Sequence, residues 1–567
     1  MSQKEPKSKK KGPKRVLNEL KKPLISGSII ASIAIAGIIG GIYLINLDKR
    51  KGGTFIMGYG GGLEVIDPVI VYFYDPIAFV QIAEPLFNEK VNQTTDYHEN
   101  VPHLALEGVW SDDLLNFTCT LREGIRFHDG TQFNASAVKW NFDRLQNFSH
   151  PFLTYLWYHP DGTLILNRTE VIDDYIVRFV LNKPYVPFRS LLTHPQAYII
   201  SPTSTPKNRY LNASTEKVVG TGPYIFKSNI VYVNTTLEKN ENYWGRPKPV
   251  IDKLVFLSVN YIESNEIFFA EETDYAVGND SYWEAYMNDT TIVVDDFVEK
   301  GFDYLGMNNQ RINTTMRKAI SYALNYSAIL ELHDFHSHGS QIRCQSPLPL
   351  GTLYSNWGDF DVPYYNISIA RQVLKDANWP GTESLIVNDN ITTGNEWETL
   401  ANGPTPLGIY NISYVLGKEE TFRGELPGIV LECLKQIGVK VDVLGLTSPD
   451  NFNNIFTSNI DLFWVGWIID FNDPANTINA VFSSKIDGES NYQQTNDSIV
   501  QEWMEEGLVE TNLVQRAHLY YNIQKRLIEE VFPVALLYSC VWYDVYRSNL
   551  RGWGDWGAGA FKNMFFV

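Results

Sequence analysis

Cysteine and methionine are scarce, with four Cys and seven Met in 567 residues. Cys119, Cys344, Cys433 and Cys540 stand alone, with no CxxC and no histidine at metal-ligand spacing, which excludes zinc-ribbon and thioredoxin-type sites. Outside a cell they allow three full disulfide pairings, or they are buried thiols; the sequence leaves both open. Catalytic signatures are also missing. There is no GxSxG, no HExxH and no carboxylate pair distinguishable from surface charge. Gly60-Gly61-Gly62 invites a phosphate-loop reading, but no GK[ST] follows, so nucleotide binding is excluded. No catalytic residue, metal or cofactor is called for.

Basic charge is confined. Of the 47 basic and 65 acidic residues, the first 51 positions hold 12 and 3, leaving 35 against 62 and a net charge of −27. A body of that sign repels phosphate backbones, so nucleic acid is not an expected partner. Long hydrophobic runs are equally confined. "LISGSIIASIAIAGIIGGIYLINL", Leu24 to Leu47, carries no charge. At 1.5 Å per residue it reaches ~36 Å, enough to span a hydrocarbon core of ~30 Å. Nine cationic residues precede it, and Lys49, Arg50 and Lys51 follow. The positive-inside rule then makes residues 1–23 a basic cytoplasmic tail and 24–47 a single-pass anchor, with the body extracellular. Cleavage after Ala34-Ile35-Ala36 is the alternative. It would leave an apolar new terminus, so the uncleaved anchor is the expected form.

Aromatic residues make up 13% of the chain, with 14 Trp and 32 Tyr. They suit either a ligand cleft lined by rings or a large core. Asparagine sequons are in excess. Asn92, Asn116, Asn134, Asn147, Asn167, Asn212, Asn234, Asn279, Asn288, Asn313, Asn325, Asn366, Asn390, Asn411 and Asn496 all begin Asn-X-Ser/Thr. Chance would supply about five or six. None precedes the hydrophobic run, which fits an outward-facing glycoprotein of archaeal type carrying N-linked glycans. Asn134 is expected to stay unmodified, because it reads as a helix N-cap.

His128-Asp129-Gly130 could pass for an active site. Asp129-Gly130 is instead a turn signal between a strand and a helix beginning after Asn134, whose Val138, Phe142 and Leu145 fall at i, i+4, i+7. The expected role is structural.

Short strands are expected over 105–130 and 163–182, with helices over 79–88 and 135–147. A Gly-Pro turn at 218–228 precedes a strand, and 252–259 forms another. From residue 314 helices at 314–333, 367–377, 426–437 and 498–530 alternate with strands at 383–389, 409–415, 439–445 and 461–466, the pattern of an α/β lobe. Residues 531–548 read as a pair of apolar segments.

In order along residues 52 to 567, "LREGIRFHDGTQFNASAVKWNFDRL", "VGTGPYIFKS", "EKNENYWGRPKPVIDKLVF", "YLGMNNQ", "MRKAISYALN", "LKQIGVKVDV" and "DLFWVGWIIDFNDP" resemble the extracellular solute-binding proteins of family 5, the oligopeptide/dipeptide/nickel class that feeds ABC importers. The resemblance implies a two-lobed α/β fold of the periplasmic-binding-protein type (cluster C), closing by a hinge around its solute. Lobe I is then 52–304 with an inserted subdomain at about 90–215, lobe II is 305–535, and 536–567 returns to lobe I. The crossings are expected near Tyr304–Met307 and Val534–Tyr538. It also implies that Asp470, in "GWIIDFNDP", pairs with a ligand's α-ammonium, with Gly466 and Trp467 beside it. Peptide-binding relatives of the dipeptide type use an arginine upstream of "LKQIGVKV" for the ligand carboxylate. None falls in register here, and Lys418 and Arg423 are the substitutes; Tyr72 is placed with the substrate-binding residues. The expected function is a membrane-anchored, non-enzymatic receptor that delivers peptide to permease subunits of an ABC importer. Oligosaccharide is the alternative ligand. A glycosylated structural or adhesion protein is the alternative of another class, and a surface hydrolase stands last.

Overall fold

The structure is a computed structural model that describes residues 53–59, 66–70, 77–92, 97–148, 156–212, 214–278, 280–336, 341–387, 390–391, 394–418, 421–484, 490–553 and 560–566. It divides into two compact units, Met1–Thr54 and Phe55–Val567. The expected anchor, Leu24–Leu47, lies outside the described residues, as do Gly60-Gly61-Gly62 and Tyr72. Among the described residues no helix is long and apolar enough to cross a membrane.

The second unit is organised by one long strand. Val534–Arg547 belongs to a 12-stranded sheet whose main path flanks it in the order 439–446, 408–415, 462–468, 301–307 on one side and 275–277, 54–59, 253–258, 234–239, 224–230 on the other, with 292–298 and 341–343 pairing to it off this path. Its first part pairs antiparallel with Gly301–Met307, Asp303 opposite Tyr538 and Gly306 opposite Val534. Its second part pairs with Ile292–Val298, from Val298 opposite Val541 to Ile292 opposite Arg547. The strand therefore changes partner between Tyr538 and Val541, from Gly301–Met307 to Ile292–Val298. The stretches expected as crossings, Tyr304–Met307 and Val534–Tyr538, pair with each other in this sheet, Tyr304 opposite Leu536 and Gly306 opposite Val534. The expected pair of apolar segments at 531–548 is this single strand, buried along most of its length.

A separate four-stranded antiparallel sheet, in the order 105–110, 116–121, 176–181, 166–173, carries the helix Ala135–Gln146. Asn134 caps that helix through its side chain, which accepts from Ala137 N at 3.0 Å. The His128-Asp129 turn is structural. Gly130 takes φ +84°, His128 N donates to Gly220 O at 2.9 Å, and Asp129 accepts from Ser201 and Ser204.

Four expected elements are corrected, one of them the helix at 314–333, which breaks at Leu324 into Thr314–Ala323 and Tyr326–His336. Residues 79–88 give one 3-10 turn, Phe79–Gln81, followed by the strand Phe87–Asn92, because Pro85 cannot continue a helix. The strand expected at 383–389 is, over its described residues, the 3-10 turn Thr382–Leu385 and the two-residue strand Ile386–Val387. Residues 498–530 break into Ser498–Val509 and Leu513–Arg526, the second capped by Asn512, whose side chain accepts from Val514 N and Gln515 N. "VGTGPYIF" owes its glycines to close approach. A Cβ on Gly220 would stand 2.1 Å from Ile82 O, and one on Gly222 2.6 Å from Gln81 O.

Candidate functional site

The strand Leu462–Ile468 runs antiparallel to Gly301–Met307 and parallel to Gly408–Val415, so the carboxyl ends of two parallel strands lie on the same side of the sheet. In open α/β sheets ligands gather at such carboxyl ends. Past Ile468 the chain turns: Ile469 N donates to Lys300 O at 2.9 Å, and Asp473 begins the helix Pro474–Phe482 with Pro474 in its first turn.

That turn is rigidly held. Asp470 is half-buried; its N–H donates to Asn476 Oδ1 at 2.9 Å, and Asn476 Nδ2 donates back to Asp470 Oδ2 at 2.9 Å. Asn472 Oδ1 accepts from Leu353 N at 2.9 Å. Asp473 caps its helix through Ala475 N and receives Arg516 in a two-pronged bridge of 2.7 and 2.8 Å. Burial pulls the Arg516 guanidinium down, but the Asp473 charge outweighs it, so the group stays firmly protonated.

The other expected residues fall as follows. Gly466 is exposed and stands opposite Asp303; a Cβ there would lie 2.7 Å from Asp303 Oδ1. Trp467 is half-buried, opposite Phe302, and packs against the cluster containing Phe302, Tyr304 and Phe463. Trp464 packs instead against the cluster containing Leu305, Ile320 and Leu434. Lys418 is exposed, just past the end of the strand Gly408–Val415, and its N–H donates to Val415 O. Arg423 is the second residue of the helix Phe422–Lys435, with its side chain outside the described set. The structure joins Gly466, Trp467 and Asp470 on one strand and turn.

Sequence reasoning missed Asp303, Asn476 and Arg516. Asn476 carried a weak signal, two residues past an Asp-Pro helix start. Asp303 carried none, since its place beside Gly466 depends on strand register. Between the strands Ile292–Val298 and Gly301–Met307, burial raises the Glu299 carboxyl above its ordinary value despite hydrogen bonding with Trp542 and Cys540. All four cysteines are free. Three are buried and Cys540 is half-buried, and burial lifts the Cys344 thiol to about 11. Among the described residues no group of three metal-ligating side chains forms.

Residues 99–489 match the family model of the bacterial extracellular solute-binding proteins, family 5 (middle region). The glutathione-binding protein GsiB of Pectobacterium atrosepticum is 29% identical over 305 residues, 50% of this chain and 54% of that one. The chain thus spans about half the length of the curated relatives it matches. Among solved structures, the Helicobacter pylori periplasmic binding protein DppA in complex with peptide STSA matches with a TM-score of 0.68 at 22% identity, covering 91% of this chain and 99% of that one. HbpA2 from Haemophilus parasuis matches with a TM-score of 0.76 at 21% identity, covering 91% and 100%. These two likenesses carry the fold, a two-lobed α/β binding protein. With more than half of its length inside the family model, the chain belongs to the extracellular solute-binding proteins of family 5.

Proposed function

We propose that this protein is the solute receptor of an ABC importer, anchored by residues 24–47, holding peptide between its lobes and presenting it to permease subunits. Asp470 carries this reading. It is a half-buried carboxylate fixed by Asn476 on the turn between the strand Leu462–Ile468 and the helix Pro474–Phe482. A carboxylate so placed suits an α-ammonium, because it orients the cation while giving up little hydration of its own. The peptide bound to the Helicobacter pylori relative and the glutathione named for the Pectobacterium one support a peptide-class ligand.

Calorimetry on the purified chain with a short-peptide panel tests the reading. Asp470→Asn keeps the volume and removes the charge, a loss of about 1.5–3 kcal/mol, so affinity falls about ten- to a hundredfold. N-acetylated peptide binds the wild type weakly and loses little more in the variant. Equal affinity for acetylated and free peptides would rule out the amine role. Tight oligosaccharide binding in the same panel would move the assignment to sugars.

A further inference from the structure

The residue after Asp470 belongs to the wrong core for its lobe. The lobe II side has two main hydrophobic clusters, one around Leu305, Ile320 and Leu434 and one around Phe302, Phe463 and Tyr520. Phe471, only 3% exposed, is in neither. With Ala475 and Leu508 it joins the cluster formed by the lobe I insert, among Leu86, Phe117, Phe142 and Phe179. A backbone bond backs this up: Val186 N donates to Leu508 O at 2.8 Å, joining the insert to the end of the helix Ser498–Val509. Neighbouring Tyr185 is buried in the same cluster, and burial first, then the Asp473 charge, pushes its hydroxyl upward. Lys300 at the crossing also reaches Glu89 on the strand Phe87–Asn92 at 2.7 Å.

We propose that Phe471 is a positioning residue: a latch seated in the lobe I insert, which makes lobe closure and the placement of Asp470 a single event. The turn cannot flex to separate the two functions. Asn476 holds Asp470 from one side, and Arg516 holds Asp473 from the other. Opening the lobes withdraws Phe471 from its cluster and carries Asp470 away with it. The ligand-competent state is then populated only while the latch is seated, and apparent affinity scales with that fraction. The coupling to ligand rests on the amine-site reading above, whereas the latch itself does not.

Hydrogen exchange on the ligand-free full chain separates the two. Seated, the latch protects the peptide 183–188 at Val186, whose N–H donates to Leu508 O; Pro184 and Pro187 carry no amide proton. Phe471→Ala raises the exchange of this peptide at least about tenfold, because exchange follows the population of the open form, while amides of the helix Leu513–Arg526 stay as in the wild type. Phe471→Leu, which keeps an apolar side chain, restores most of the protection. Unchanged exchange at 183–188 in Phe471→Ala, or an equal rise in Leu513–Arg526, would overturn the proposal, the second showing that Phe471 is ordinary core. In a parallel arm with an equimolar tetrapeptide mixture, Phe471→Ala binds about tenfold more weakly. If the wild type binds no tetrapeptide, the peptide reading fails and the exchange result still decides the latch.

Discussion

Glu84 shows how one buried side chain ties distant stretches of this sequence together. Its carboxylate is fully buried and accepts from Tyr243, Trp244 and Thr221 at 2.7 Å each, with His103 Nε2 at 2.9 Å. Burial raises the carboxyl, but the His103 charge and the hydrogen bonds from His103, Tyr243 and Thr221 outweigh it and hold the group below its ordinary value. A carboxyl depressed in the folded state contributes stability that is complete above its unfolded value. That contribution is lost as pH falls through the folded one. Glu84→Gln should therefore cost about 2 kcal/mol or more in urea unfolding near pH 7. The gap between variant and wild type should narrow steadily below about pH 4.5 as the wild-type carboxyl takes up its proton. A gap that stays constant into acid would show that the charge does not matter. None of this was legible beforehand. Glu84 sat in a stretch read as helix, and its partners lie 19 to 160 residues away, so no local pattern could announce them.

At the scale of elements, the helix Pro474–Phe482 depends on its first residues. Asp473 serves both as its N-cap and as the buried partner of Arg516, each side chain 3% exposed. Arg516→Met strands a buried carboxylate and should destabilise the protein by about 3–5 kcal/mol. Adding Asp473→Ser removes that charge yet keeps a capping oxygen. The double variant should thus unfold at higher urea than Arg516→Met alone; an equal or lower midpoint would show that the pair acts through something other than the stranded charge. Elements with periodic apolar faces were legible, as with Ala135–Gln146 and Ile367–Asp376, because their burial follows a 3.6-residue repeat. Asp470 and Gly466 are singled out only by what the resemblance to a family implies. No local pattern points to Asp303 or Phe471, since their neighbours depend on which strand or core they meet.

At the scale of the molecule, the sequons sort by exposure. Asn147, Asn167, Asn212, Asn288, Asn313 and Asn496 are exposed, whereas Asn116, Asn134, Asn234, Asn325, Asn366 and Asn411 are half-buried; the side chains of Asn92, Asn279 and Asn390 lie outside the described residues. Capping alone does not silence a sequon. Asn134, Asn313 and Asn366 cap through Oδ1, and a glycan attaches to the nitrogen, so accessibility is the stronger criterion. Protease treatment of intact cells followed by glycopeptide mapping is expected to release the body with glycans mainly on the exposed group, Asn313 included, while a tag on residues 1–23 survives. A body without glycans, or a tag that is lost, would count against the surface-anchored reading. The strand Val534–Arg547 has one more consequence, for assembly of the protein during synthesis. Ile292–Val298 and Gln341–Arg343 pair with this strand, and Tyr275–Val277 and Gly301–Met307 each need it on one edge. It is made after all of them. Until the ribosome has passed Arg547, both lobes carry open sheet edges of the kind that recruit foreign strands, and neither can finish folding ahead of the other.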